Sequence, residues 1–315
     1  MSPPLQVPCG VPQGSVLGPL LLIQYMVGIG DIITSHGCQY RLYAEDIQIF
    51  ASASPADLHT IVKSIEDCIL DVKRWLELNF LYLNNSKTEP ILLGTLPTLR
   101  KCDLNTIMVC GSPIQVHQCV RDLGVFLDGP LSMDAHISHV CRKAFVNLRL
   151  VRRLRRSMNI TTCIRAVEAL VLSHLDFGSS LLHGVTKKCL SRLDRVLHSA
   201  ARVVMCAGKR NPVESFMAEH KWLPMDRRVR SRLLCITHTA VHHSRPTFLR
   251  GLLKDTQKLA ARNLRSTELN LLHVPQHRTK TGSRAFSVSA PLLWNAIPLE
   301  IRQSCPQNFK DYLFV

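Results

Sequence analysis

The 315 residues contain no CxxC pair, no P-loop, no HExxH and no GxSxG elbow, so the sequence marks of a zinc ribbon, an NTPase, a zinc protease and a serine hydrolase are all missing. The zinc deaminase signature is absent as well. Aromatic residues make up only 6% of the chain, and no tandem repeat or low-complexity tract occurs. No Lys or Arg precedes Arg41, which predicts neither a secretory signal nor an Arg-rich mitochondrial leader. The apolar stretch from Val16 to Gly30 is interrupted by Pro19 and Gln24 and falls short of the roughly 20 residues a membrane helix needs, so no span is expected. Acid is scarce too. Against 23 Asp and Glu stand 39 Lys and Arg, a net charge of +16, which favours a polyanionic partner.

What is present suffices for a core. Hydrophobic residues reach 46% and exclude disorder of the low-hydrophobicity kind. The 12 cysteines are scattered, as expected of reduced thiols packed as small apolar residues in a nuclear or cytoplasmic protein that is not secreted. Three His-x-Cys triplets, His36/Cys38, His117/Cys119 and His139/Cys141, lack paired zinc spacing, and no structural metal is expected.

Local patterns predict an α+β fold: mixed strand and helix up to about residue 128, then mostly helix. Gln39 to Tyr43 and Ile47 to Phe50 read as a hairpin with an acidic tip, Ala44-Glu45-Asp46. Ser54-Pro55-Ala56-Asp57 should start a helix whose stripe is Leu58, Ile61, Val62, Ile65, Ile69, Val72 and Leu76, ending at Asn79. Ile91-Leu92-Leu93 reads as a strand, Ile107 to Val116 as a hairpin turning at Gly111-Ser112, and Leu123 to Leu127 as one more strand. From Ser132 the helical period returns with Ile137, Val140, Ala144, Leu148 and Val151. Further helices are expected around Leu190 to Val204 and Arg227 to His242, with Pro275 to Pro298 irregular.

Between Asp134 and Glu168 there is no acid, whereas Arg142, Lys143, Arg149, Arg152, Arg153, Arg155, Arg156 and Arg165 all fall there. That density suits phosphate neutralisation along a nucleic-acid backbone, with a solvated helix face as the plain alternative.

Gly10-Val11-Pro12-Gln13-Gly14-Ser15-Val16-Leu17-Gly18-Pro19 describes a tight loop entering an apolar helix, with Gly14 leaving the backbone bare. Together with Tyr43-Ala44-Glu45-Asp46 it resembles the palm of reverse transcriptases from LINE-type, non-LTR retrotransposons. The resemblance continues through Asn79 to Asn84 with Lys87-Thr88-Glu89, through Val120-Arg121-Asp122-Leu123-Gly124-Val125, and to a tail with Arg284-Ala285-Phe286-Ser287 and Ala290 to Asn295. It implies a partial right-hand polymerase palm over 1–128, a helical Arg-rich thumb over 129–208 and a C-terminal extension over 209–315. Pro12, Gln13 and Gly14 would lie against template and nucleotide, and Lys87 near the nucleotide phosphates. Leu123 and Gly124 would belong to the primer grip, and Arg142, Lys143, Arg149, Arg152, Arg153, Arg155 and Arg156 would follow the nucleic-acid backbone. The partners implied are RNA and DNA as template and primer, with dNTPs as the small-molecule substrates and no membrane.

The implied activity is RNA-directed DNA synthesis with Mg²⁺ held by carboxylates from two places. The family's aromatic-Ala-Asp-Asp is here Tyr43-Ala44-Glu45-Asp46, and Glu45 sets its carboxylate about an ångström further out, which Mg²⁺ tolerates badly. The sequence starts nine residues before Gly10, leaving no room for the strand that carries the other carboxylate, for the fingers or for an endonuclease domain. An N-terminally truncated chain, inactive alone, is therefore expected. Three readings of Glu45 and Asp46 stay open: a weakened metal site, an acidic turn without an ion, and a site completed by another chain. Likewise Gln13 and Gly14 can be an ordinary helix-entry loop and Lys87 a solvated lysine beside Glu89. Two alternatives to the polymerase remnant remain, a non-catalytic RNA- or DNA-binding protein and the translation of a decayed element without a cellular role.

Overall fold

A computed structural model describes residues 14–256 and 271–314. The chain divides into two units, 1–120 and 121–315, and the division falls inside a hairpin. The architecture is α+β, with short antiparallel hairpins in place of one continuous sheet.

In the first unit, α1 (Gly18–Tyr25) and α2 (Ile29–Ser35) precede the hairpin β1 (Gln39–Tyr43) and β2 (Asp46–Phe50). The amphipathic helix α3 (Leu58–Leu78) follows. One face of the hairpin, Tyr40, Leu42, Ile47 and Ile49, packs with Met26, Ile29 and Ile33 against Cys68, Val72 and Leu76 of α3, as strand alternation requires. Two thiols, Cys38 and Cys68, meet in this core, and burial, with Cys38 beside it, pushes the Cys68 thiol up to about 12. It is a core residue without nucleophilic character at neutral pH.

The predicted stripe of α3 is observed, but its start lies at Leu58, past the turn Pro55 to Asp57. The Ser54 hydroxyl donates to the Asp57 carboxylate at 2.7 Å instead of capping the backbone. Ile91-Leu92-Leu93 is not a strand; it contributes one isolated bridge, Ile91 to His117, because no partner strand runs beside it. After the short helix α4 (Leu96–Leu99), β3 (Thr106–Val109) and β4 (Ser112–Gln115) form a hairpin. Its turn is Cys110-Gly111, with φ of 51° and 84°, one residue before the predicted Gly111-Ser112.

α1 buries none of its residues, and Gly18–Ser35 is, on length and composition alone, apolar enough to cross a membrane. The apolar stretch is therefore longer than the sequence reading took it to be, although a turn at residues 26–28 splits it into two helices.

The second unit is described with the hairpin β5 (Cys119–Asp122) and β6 (Val125–Asp128) that opens it. This hairpin replaces the single predicted strand Leu123 to Leu127, because Leu123 and Gly124 both adopt positive φ and turn the chain. The long helix α5 (Asp134–Leu154) follows, then α6 (Ile160–Val167), a π-helical turn Glu168–Leu172, and α7 (Ser173–Asp176). α8 (Lys187–Val204), α9 (Glu214–Glu219) and α10 (Met225–His243) complete the main bundle. Its core joins Ile137, Ala144, Leu148 and Val151 of α5 to Leu193, Leu197 and Ala201 of α8 and to Val167 and Leu172.

A second core gathers Leu234, Leu253, Leu272, Trp294 and Phe309. Its elements are α10, α11 (Thr247–Leu252), α12 (Phe286–Asn295), α13 (Leu299–Arg302) and α14 (Pro306–Leu313). The segment Pro275 to Pro298 is thus not irregular throughout; α12 runs through Pro291, because its apolar face has a core to enter.

Gly30 is required by packing, since a Cβ there would stand 2.1 Å from the Tyr40 hydroxyl. Gly30→Ala should lower the stability of the first unit by about 1–3 kcal/mol through overpacking. Hydrogen exchange of α2 and β1 in the full chain reads this as faster exchange; unchanged protection would refute it.

Candidate functional site

Three places carry candidate chemistry: the loop at Gly14, the acidic hairpin, and the basic helix α5 with the hairpin before it. Pro12 and Gln13 lie outside the described residues. Gly14 has φ of +88°, and among the described residues nothing lies within 4 Å of where its Cβ would stand. Ser15 is committed to structure, its hydroxyl accepting the Gly18 N–H at 3.1 Å at the entry to α1.

The acidic hairpin forms as expected, with Tyr43 opposite Asp46 and Ala44-Glu45 as its two-residue turn. Asp46 is therefore the first residue of β2 and not part of the tip. Ala44 takes φ of 52° to close the turn. Tyr43, Glu45 and Asp46 are all exposed, and Tyr43, at 65% exposure, does not pack beneath the hairpin. The outward face carries Arg41, whose guanidinium lies 5.8 Å from the Phe50 ring centre.

Two adjacent, exposed carboxylates, one on the turn and one at the start of β2, do not fit a two-ion Mg²⁺ centre, which needs ligands converging from separate elements. Among the described residues no group of three or more His, Cys, Asp or Glu could hold a metal ion. Upstream of Glu45 the only acid in the sequence is Asp31, on the first turn of α2.

Lys87 ends a single 3₁₀ turn, Asn85–Lys87, which Asn84 caps by accepting the Ser86 N–H at 3.0 Å. Lys87 is exposed. Before it, Leu81 and Leu83 enter the core while Phe80 and Tyr82 stand out in solvent.

In the second unit, the Leu123-Gly124 tip sits against Phe177: a Cβ on Gly124 would meet that ring at 3.2 Å. The hairpin is tied to α5 by the Phe126 N–H, which donates to His136 Nδ1 at 3.4 Å, and by ring contact of Phe126 with His139 at 4.8 Å. Burial lowers the pKa of both histidines; His139 is lowered further by Lys143, Arg121 and Arg142. Both are neutral at physiological pH, which suits a surface already rich in cations.

The basic helix divides by role. Arg142, Arg149 and Arg153 recur at helical spacing opposite the buried stripe Ile137, Ala144, Leu148 and Val151. With Lys143, Arg152 and Arg156 they are exposed and make no ion pair among the described residues. Arg155 differs. It is half-buried; its Nε and Nη2 donate to the Val204 carbonyl at 3.0 and 2.8 Å, and its Nη1 donates to the Met158 carbonyl at 2.9 Å. This guanidinium closes the end of α8, where carbonyls lack helical partners, a role the sequence does not announce.

The tail strings are architectural. Arg284 donates to the carbonyls of Leu131, Leu181 and His183, and burial lowers its pKa. The Asn295 amide pairs in both directions with the Leu272 backbone, at 2.8 and 2.9 Å. Neither role was visible in the sequence, because both bridge segments far apart in the chain.

With this geometry in place, comparison with known families matches residues 4–126 to the reverse transcriptase (RNA-dependent DNA polymerase) family model. The match spans less than half of the chain, and these residues are a reverse-transcriptase-related segment. No curated protein and no solved structure matches the chain.

Arg155→Ala should destabilise the second unit by about 1–3 kcal/mol, since it leaves the Val204 and Met158 carbonyls without its three hydrogen bonds. Arg153→Ala should cost little. Thermal unfolding of the two variants side by side checks this, and equal midpoints would contradict the division of roles.

Proposed function

We propose that the chain is the palm-and-thumb part of a LINE-type, non-LTR reverse transcriptase that engages RNA and DNA but does not polymerise by itself. The carrying observation is an order of elements: the reverse-transcriptase-related segment closes at residue 126, on a hairpin docked to a helix whose exposed cations have no acidic partner among the described residues. That order suits a primer grip followed by a thumb. Leu123 and Gly124 would face the primer end, and Arg142, Lys143, Arg149, Arg152, Arg153 and Arg156 the strand backbone, as the density of unpaired charge favours. Gly14 and Lys87 would serve template and nucleotide.

Glu45 and Asp46 support the second half of the proposal. The longer Glu45 side chain and the solvated turn weaken any ion site there, and within these 315 residues Asp31 is the sole upstream carboxylate, on a helix. Mg²⁺-dependent nucleotidyl transfer would therefore require a further carboxylate brought beside this exposed pair.

Primer extension on an RNA template with Mg²⁺ or Mn²⁺ tests this, using the full chain beside the double variant Glu45→Ala, Asp46→Ala. The expected result is no extension above the variant by folded protein. Extension that the double variant abolishes would show that the hairpin works in a complete site.

A further inference from the structure

The C-terminal ends of α5 and α8, with the loop after α8, enclose a cleft of about 530 Å³. Five cationic side chains line it, Arg152, Arg155, Arg156, Arg202 and Lys209, and no Asp or Glu does. Helix C-termini attract cations, which explains two of the five. Arg155 is held by the Val204 and Met158 carbonyls, and Arg202 donates from Nε to the Asn211 carbonyl at 3.2 Å. The side chains of Arg152, Arg156 and Lys209 make no hydrogen bond or ion pair among the described residues. The carboxylate that senses Arg202, Glu214, does not line the cleft and accepts the Val213 N–H at 2.9 Å.

Crowded like charges repel unless an anion sits among them. The cleft has the volume of a small-ligand pocket and is concave, so a duplex flank does not enter it. Compact, multiply charged groups do. The carbonyl-bound guanidinium of Arg155 fixes a positive charge at the cleft wall, and the free arginines can close on phosphate oxygens in bidentate fashion.

We propose that this cleft binds a cluster of phosphate groups, carried either by a free polyphosphate or by the phosphorylated end of a nucleic-acid strand. The site draws on α8 and its following loop as well as α5. It shares Arg152 and Arg156 with the basic set that begins on α5, lies apart from the outward Arg142, Arg149 and Arg153, and requires nothing of the palm.

Cys206 lines the cleft and is exposed, which makes it a built-in reporter, while the exposed Cys305 serves as internal reference. The rate of N-ethylmaleimide alkylation at each is measured by peptide mass spectrometry on the full chain. The additions are tripolyphosphate, single-stranded DNA with a 5′-phosphate, the same strand with a 5′-hydroxyl, and sodium chloride at equal ionic strength. Near ten times its dissociation constant, tripolyphosphate or the 5′-phosphorylated strand should slow Cys206 by about tenfold relative to chloride and leave Cys305 unchanged. The triple variant Arg152→Gln, Arg156→Gln, Lys209→Gln should lose that protection. A variant of equal charge loss elsewhere on α8, Lys187→Gln, Lys188→Gln, Arg195→Gln, should keep it. Protection by tripolyphosphate assigns a free polyphosphate; protection by the 5′-phosphorylated strand alone assigns a strand end. Absence of protection by both, or equal loss in the two triple variants, would overturn the proposal. The readout does not involve polymerisation, so a negative primer extension leaves it unaffected.

Discussion

The second unit depends on the seam between α5 and α8, where Ile137, Ala144, Leu148 and Val151 meet Leu193, Leu197 and Ala201. Each such buried aliphatic side chain contributes about 1.5–3 kcal/mol relative to exposure, so the seam fixes which face of α5 is inside. The opposite face is then fixed as well, and that is the face on which the cations fall. Arg155 marks the end of the seam. By binding the last carbonyl of α8, that of Val204, it keeps the two helix ends together, and the basic cleft exists because those ends are held side by side.

Charge is distributed unevenly over the same scaffold. Several of the unit's carboxylates are committed to internal work. Asp176 holds Arg228 and Arg232, Asp134 holds Arg192, Asp194 accepts the Met225 N–H, and Glu168 accepts the Trp222 indole N–H. Between Asp134 and Glu168 the sequence then supplies cations alone. An unbalanced surface of this kind persists at little cost when its partner is an anion, and counterion release on binding becomes the driving force.

Much of this was legible in the sequence because it depends on local period and turn chemistry. The stripes of α3, α5 and α8 were readable, and so was the hairpin around Ala44-Glu45, since apolar spacing and bounding polar residues set them. Failures arose where the outcome depends on distant partners. Ile91-Leu92-Leu93 has strand composition but no neighbour to pair with. Leu123 to Leu127 was read as one strand because a leucine at positive φ is unexpected, and only Gly124 beside it hinted at a turn. Arg155 reads as one more surface arginine until Val204, 49 residues away, is brought beside it. The same holds for Arg284 and Asn295, whose partners lie on other loops. At the hairpin the acidic pair was legible but its placement was not: Glu45 sits in the two-residue turn, whereas Asp46 opens β2.

The central claim is that the acid-free face of α5 contacts a nucleic-acid backbone, and the most direct measurement is the salt dependence of single-stranded RNA binding by the full chain and by Arg142→Gln, Arg149→Gln, Arg153→Gln. If about five phosphates are contacted, affinity should fall by roughly a hundredfold between 50 and 200 mM salt, and the variant should show a slope shallower by about two in log–log form. Affinity that is indifferent to salt, or a variant with an unchanged slope, would contradict the account.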